Sequence, residues 1–285
     1  MLDSPVRGFP VKEFEARLER LHKLMSTKGL AGILLMSEPE VRYFTGFLTQ
    51  FWQSPTRPWF LFIPVDKKPI AVIPEIGAAL MRTTWIDDIR TWGAPWPKDD
   101  GISLLQDLLD PLLKSGARLG VMKGHETSLR MPLGDYERLM SGLAGIEVVD
   151  ATDILRNLRM VKSAAEIEKI AYICGITSRT FARAGDIFHK GQSLAEAFRA
   201  FRIECLTQGA DDVPYLAGGA DQGGYCDIIS PPSNRSLESG DILMFDTGAT
   251  FDGYFCDFDR NYAIEQADDL SRRAYDTLWR ATEAG

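Results

Sequence analysis

Basic charge is in deficit in this sequence. Lysine and arginine total 32 against 40 aspartates and glutamates, a formal net charge of −8 over 285 residues. That balance argues against a nucleic-acid partner. Long hydrophobic runs are missing as well. No stretch approaches the ~20 apolar residues of a membrane span, and Met1-Leu2-Asp3-Ser4-Pro5 has neither the basic nor the apolar region of a secretory signal. Cysteine occurs only at Cys174, Cys205, Cys226 and Cys256, without metal-type spacing. The chain therefore reads as cytoplasmic, with most of its thiols reduced and buried as small hydrophobes. Histidine is rarer still. His22 falls in the first helical stripe, His125 in a Lys-Gly-His-Glu loop, and His189 at the end of a long helix, where the dipole favours a cation. All three read as surface or helix-end residues. No repeat or low-complexity run occurs, and an apolar content of 45% supports a sizeable core in one large or two ordinary domains.

Carboxylates, by contrast, stand where a soluble protein seldom needs them. Asp246 interrupts the apolar run Ile242 to Phe245, and Asp257 and Asp259 interrupt the run that follows. Between them lies Asp252-Gly253, a dipeptide that favours a two-residue hairpin. With that pair as the loop, 246 faces 259 and 248 faces 257. Because side chains alternate along a strand, 246, 248, 257 and 259 share one face, and Leu243, Phe245 and Cys256 take the other. Three carboxylates are thus expected to converge beside Gly248, which leaves them room. Like charges opposed across a sheet destabilise it unless something cationic joins them. An exposed acidic edge with Arg260 pairing one acid would relieve this. So would a divalent ion, for which an oxygen-rich donor set is suited.

Around this hairpin the first half alternates helical and strand patterns. Phe14, Leu18, Leu21, Leu24 and Met25 form a helical stripe ended at Gly29, followed by a strand over 31–36 and a helix over 38–43. Strands are predicted at 59–65, 70–74, 118–122 and 146–149, and helices at 76–84, 102–114 and 132–143. A break follows over 151–162. Ser163 with Glu166 and Ser193 with Glu196 form capping boxes that open two helices. The first is predicted to bury Ile167, Ile170, Ala171 and Cys174, and the second runs to about 208. A glycine-rich stretch separates them from the hairpin, and a last helix is predicted over 267–283.

In this order the segments resemble the creatinase, prolidase and aminopeptidase P family. The residues that carry the resemblance are Arg17-Leu18-Glu19-Arg20-Leu21, Gly29 to Leu35, Val41 to Phe47, Leu158-Arg159-Met160-Val161-Lys162-Ser163-Ala164-Ala165-Glu166-Ile167, and Gly240-Asp241-x4-Asp246-x-Gly248 with Asp257-x-x-Arg260. The resemblance implies an α/β N-terminal domain at 1–155 and, at 156–285, the first half of an α+β "pita-bread" catalytic domain. It implies two divalent ions (Mn, Co or Zn), with Asp246 and Asp257 as ligands and the latter bridging. It also implies attack of an activated water on an amide carbon in a small peptide or amide, within a homodimer. The family's histidine and two glutamate ligands would follow Gly285, so the expectation is a fragment, inactive by itself. Ile229 stands where peptidases of the family place a histidine. Asp259 replaces a usual threonine and is a possible additional acid. The segment Phe51 to Trp59 corresponds to a loop that reaches a partner's site in relatives. Arg57 there is predicted to clamp a substrate carboxylate, and Trp52 to form an apolar wall. The function expected is a metal-dependent amide hydrolase of Xaa-Pro dipeptidase or small-molecule type. The alternatives are a lyase on the same fold acting on a sulfonium zwitterion, and a non-catalytic binding module.

Overall fold

The structure is a computed structural model that describes residues 3–54 and 56–285. Met1, Leu2 and Pro55, which figure in the N-terminal and loop readings above, lie outside the described residues. Two compact units are present, and the boundary falls between Lys162 and Ser163. The expected boundary at 155/156 lies inside a helix, Thr152–Met160, whose Ile154, Leu155 and Leu158 pack into the first unit's core.

The first unit, Gly8–Lys162, contains in order α1 (Val11–Lys28), β1 (Gly32–Leu35), α2 (Glu38–Thr45), β2 (Phe60–Pro64), β3 (Ile70–Pro74), α3 (Ala78–Met81), β4 (Asp88–Trp92), α4 (Ile102–Leu109), β5 (Arg118–Val121), α5 (Leu133–Gly142), β6 (Glu147–Asp150) and α6 (Thr152–Met160). The sheet order is β4-β3-β2-β1-β5-β6. Its central strands are apolar at every position because both faces are covered. Leu61 and Ile63 of β2 enter one core with Leu21, Phe44 and Trp59, while Phe60 and Phe62 enter another with Leu105 and Leu139.

The second unit joins Ser163–Gly285 to the N-terminal segment that ends at Arg7. It contains α7 (Ala164–Ala182), α8 (Ala184–Ile187), α9 (Leu194–Thr207), β7 (Asp212–Gln222), β8 (Asp241–Phe251), β9 (Tyr254–Phe255), β10 (Phe258–Ala263) and α10 (Asp269–Ala284). The strands run β10-β8-β7, with β9 paired to β8. Both capping boxes form: Ser163 and Ser193 accept from the amides of Glu166 and Glu196, whose carboxylates accept in return. The stripe expected to be buried on α7 is not the one that packs. Ile167 is exposed, and the core receives Ile173, Ile176, Thr177, Thr180 and Phe181 instead. His189 does not end α7, which stops at Ala182, and follows the separate short helix α8. The core of this unit is a stack of phenylalanines. The Phe245 ring centroid lies 4.8 Å from Phe188, 4.7 Å from Phe198 and 5.2 Å from Phe201. Removing so buried a ring costs ~3–5 kcal/mol, so this stack fixes which face of β8 turns inward. Among the described residues no helix is long and apolar enough to cross a membrane.

Candidate metal and substrate site

The hairpin forms as its turn chemistry dictates. Asp252 and Gly253 have φ of 48° and 73°, the two positive values that a two-residue type I′ turn requires. Asp246 pairs with Asp259, and Phe245 with Arg260, across β8 and β10. Leu243, Phe245, Thr247 and Ala249 are fully buried against the helices. Their neighbours Asp246 and Thr250 are half-buried on the opposite face, and Asp257 and Asp259 are exposed. The structure therefore places the three acids on one face.

What surrounds the acids differs from the expectation at Gly248. The space a side chain would take there is filled by an aromatic ring: a Cβ on Gly248 would stand 1.7 Å from Cζ of Phe255. The glycine makes room for Phe255, not for the carboxylates. From the other side, Tyr215 of β7 pairs with Gly248 and donates its hydroxyl to Asp246 Oδ2 at 2.8 Å. That bond, and the negative charge of Asp246, hold the Tyr215 phenol above its ordinary range. Oδ1 of Asp246 has no hydrogen-bond partner among the described residues. Arg260 pairs none of the acids. Its guanidinium binds the Asp259 carbonyl at 2.5 Å and lies 5.3 Å from the Phe258 ring. Among the described residues no lysine or arginine forms an ion pair with Asp246, Asp257 or Asp259, and no group of three or more His, Cys, Asp or Glu is gathered closely enough to hold a metal ion.

Both ends of the hairpin are locked by ionic groups that sequence reasoning passed over. At the start of β8, Asp241 is fully buried. Its Oδ2 accepts from Arg235 Nη1 at 2.6 Å and the Glu238 amide at 2.9 Å. Its Oδ1 accepts from Arg235 Nη2 at 2.9 Å and Gln222 Nε2 at 2.7 Å. Arg235 holds the Asp241 carboxyl below the usual carboxylate range. At the tip, Lys169 Nζ donates to Asp252 Oδ2 at 2.6 Å and to the Val6 carbonyl at 2.5 Å. The Asp252 amide donates to Asp211 Oδ2 at 2.7 Å, and Arg7 draws the Asp211 carboxyl below its usual range. The sequence signal was present in part. The Gly240-Asp241 pair belongs to the motif that carries the family resemblance, but its partner Arg235 lies in an unpatterned loop.

The remaining expected residues lie elsewhere. Trp52 and Arg57 belong to the first unit. The Trp52 ring is only 7% exposed and packs 5.8 Å from Trp59, which makes it part of the core there. The Arg57 backbone is left-handed, with φ 62°. The loop that carries both is held by Arg130, which donates to the carbonyls of Trp52 at 3.0 Å and Arg57 at 3.3 Å and lies 4.9 Å from the Trp52 ring centre. Ile229 is 87% exposed on the loop between β7 and β8, and His22 contacts the Lys67 carbonyl. A cleft of ≈ 720 Å³ opens between residues 223–225, β10 and α10, lined by Tyr225, Asn261 and Tyr275. None of the three acids borders it.

With this geometry in place, the relatives are informative. Residues 17–161 match the family model for the Creatinase/Prolidase N-terminal domain, and residues 168–285 match that for Metallopeptidase family M24. Together the two regions define a metal-dependent hydrolase of the amide bond. The chain belongs to the creatinase/prolidase family. It is 26% identical over 280 residues to the probable dipeptidase PepE of Mycobacterium tuberculosis, a match that covers 98% of this chain and 71% of that protein. It is 22% identical over 275 residues to the Xaa-Pro dipeptidase of Pyrococcus furiosus, covering 93% of this chain and 69% of that one. Among solved structures, the dipeptidase PepE of Mycobacterium ulcerans aligns with a TM-score of 0.79 at 26% identity, covering 97% of this chain and 71% of its own. The prolidase of Thermococcus sibiricus aligns with a TM-score of 0.83 at 19% identity, covering 97% and 72%, and shows the shared fold.

Proposed function

We propose that this chain contributes Asp246 and Asp257, as ligands of a pair of divalent ions such as Mn, Co or Zn, to cleavage of the C–N bond of a dipeptide. The observation that carries this reading is the pairing of Asp246 with Asp259 across the ladder, on the face turned from the core and without a cation among the described residues. Like charges so placed repel one another unless a cation is bound. The donor chemistry fits: carboxylate oxygens suit hard and borderline divalent ions. Asp246 and Asp257 supply only part of such a shell. Bound there, a divalent ion would polarise the scissile carbonyl and make water more acidic. The chain's own residues do the positioning. Tyr215 holds one oxygen of Asp246, leaving the other for the ion. The phenylalanine stack and the two ionic locks keep β8 and β10 in register. Asp259 adds negative charge beside them. The dipeptidase names of the relatives support the choice of substrate.

Calorimetric titration with Mn²⁺ and a dipeptide panel, including Xaa-Pro members, test the reading. The expected result is site-specific Mn²⁺ binding that weakens at least tenfold in Asp246→Asn, together with hydrolysis of one or more dipeptides. Absence of both Mn²⁺ heat and hydrolysis with Mn, Co or Zn overturns it.

A further inference from the structure

We infer that Phe255, together with Tyr215, forms an apolar wall beside the aspartates that selects a dipeptide with a large apolar side chain next to the scissile bond. This rests on the site proposed above and names its substrate class. Phe255 pairs with Thr250, and its ring leans along the strand onto Gly248, toward Asp246. One face of the ring is therefore seated on the backbone of β8. The residue is still 47% exposed, and Tyr215, opposite Gly248, is 43% exposed. Inward-facing side chains of β8 are by contrast fully buried, so these two rings offer apolar surface left open beside the acids. Tyr215 is not free to turn its hydroxyl outward, because Asp246 accepts it. What it presents is ring.

Desolvation points the same way. An aliphatic substrate side chain loses its hydration favourably against two rings, whereas a carboxylate side chain placed against the same wall gives up hydration without gaining a partner there. A hydrophobic contact of this kind discriminates by about 10–200-fold per group recognised.

The test compares Leu-Ala, Gly-Ala and Asp-Ala, and the reversed series Ala-Leu, Ala-Gly and Ala-Asp. Substrates are followed by kcat/KM, and calorimetric binding is measured with Mn²⁺ present. In one of the two series the protein is expected to prefer Leu over Gly by about tenfold or more, and to place Asp last. In Phe255→Ala the Leu-to-Gly ratio is expected to collapse toward one, and Phe255→Leu, which keeps an apolar side chain there, is expected to retain most of it. A ratio unchanged by Phe255→Ala, or no preference in either series, overturns the inference. Failure of the proposed activity reads differently. If no dipeptide is hydrolysed, the binding ratio still decides whether the wall exists.

Discussion

Replacing Asp241 by asparagine tests whether the hairpin is held at its root. The carboxylate accepts four donors, two on each oxygen. Asparagine keeps one oxygen and turns an NH₂ toward the other two donors, one of which belongs to the Arg235 guanidinium. Two bonds are lost, both of them to an ionised carboxylate and one of them also from a cation. Bonds to charged groups are worth ~1.5–3 kcal/mol each. The Arg235 side chain is 36% exposed and can rehydrate, so we take the low end, about 3 kcal/mol for the two. With an m value of ~2 kcal/mol/M, the urea midpoint should fall by about 1.5 M. The pH dependence adds a second check. The folded carboxyl titrates below its ordinary value, so its contribution is complete above the unfolded pKa of about 3.9 and is lost as pH falls through the folded pKa. The gap between wild type and variant should thus be full at pH 6 and shrink below about pH 4. A midpoint shift near zero at pH 6, or a gap that stays constant down to pH 3, would refute the reasoning.

The tip lock predicts more. Lys169→Met removes the lysine from its ion pair with Asp252, whose side chain is 11% exposed. Breaking such a buried pair costs ~3–5 kcal/mol, and amide exchange at 252–254 should quicken; a loss below about 1 kcal/mol by urea unfolding would count against the lock. Thiol labelling of the native protein should find Cys226, which is exposed, and spare Cys205 and Cys256, which are buried. Burial also pushes the Cys205 thiol up to about 11, so it holds little reactive thiolate at neutral pH. Mass spectrometry after iodoacetamide treatment checks this, and equal modification of Cys205 and Cys226 would contradict the packing.

The elements that could be read in advance share a short-range cause. Ser163 and Ser193 cap helices because their partners Glu166 and Glu196 are three residues away, and both boxes form. The apolar strands of the first unit were legible because they are buried on both faces. β4 and β7 were not. β4 is a polar edge strand, and β7 contains Gly218 and Gly219, which local preference assigns to a loop. The structure shows the need for a glycine at 218, where a Cβ would stand 2.2 Å from the Met244 carbonyl oxygen. The buried face of α7 was misjudged for a related reason. Its polar residues Glu166, Lys169, Thr177 and Thr180 are buried, because partners elsewhere receive them: Tyr254 for Glu166, Asp252 for Lys169, and Cys256 for Thr177. A hydrophobicity pattern cannot register such pairings.

The sequence by itself determined the family and the face on which the acids stand. A strand's two-residue period and an Asp-Gly turn are local, and together they allow one register for Asp246 and Asp259. Tertiary structure decided what borders those acids. Phe255 fills the space at Gly248, Tyr215 reaches Asp246 from a strand 31 residues away in sequence, and Arg235 and Lys169 anchor the hairpin's two ends. Tyr215 and Lys169 are brought to the hairpin from distant parts of the chain by the packing of the phenylalanine core, whereas Arg235 and Phe255 are near neighbours in sequence whose contacts depend on how loop and hairpin close; no local propensity encodes either.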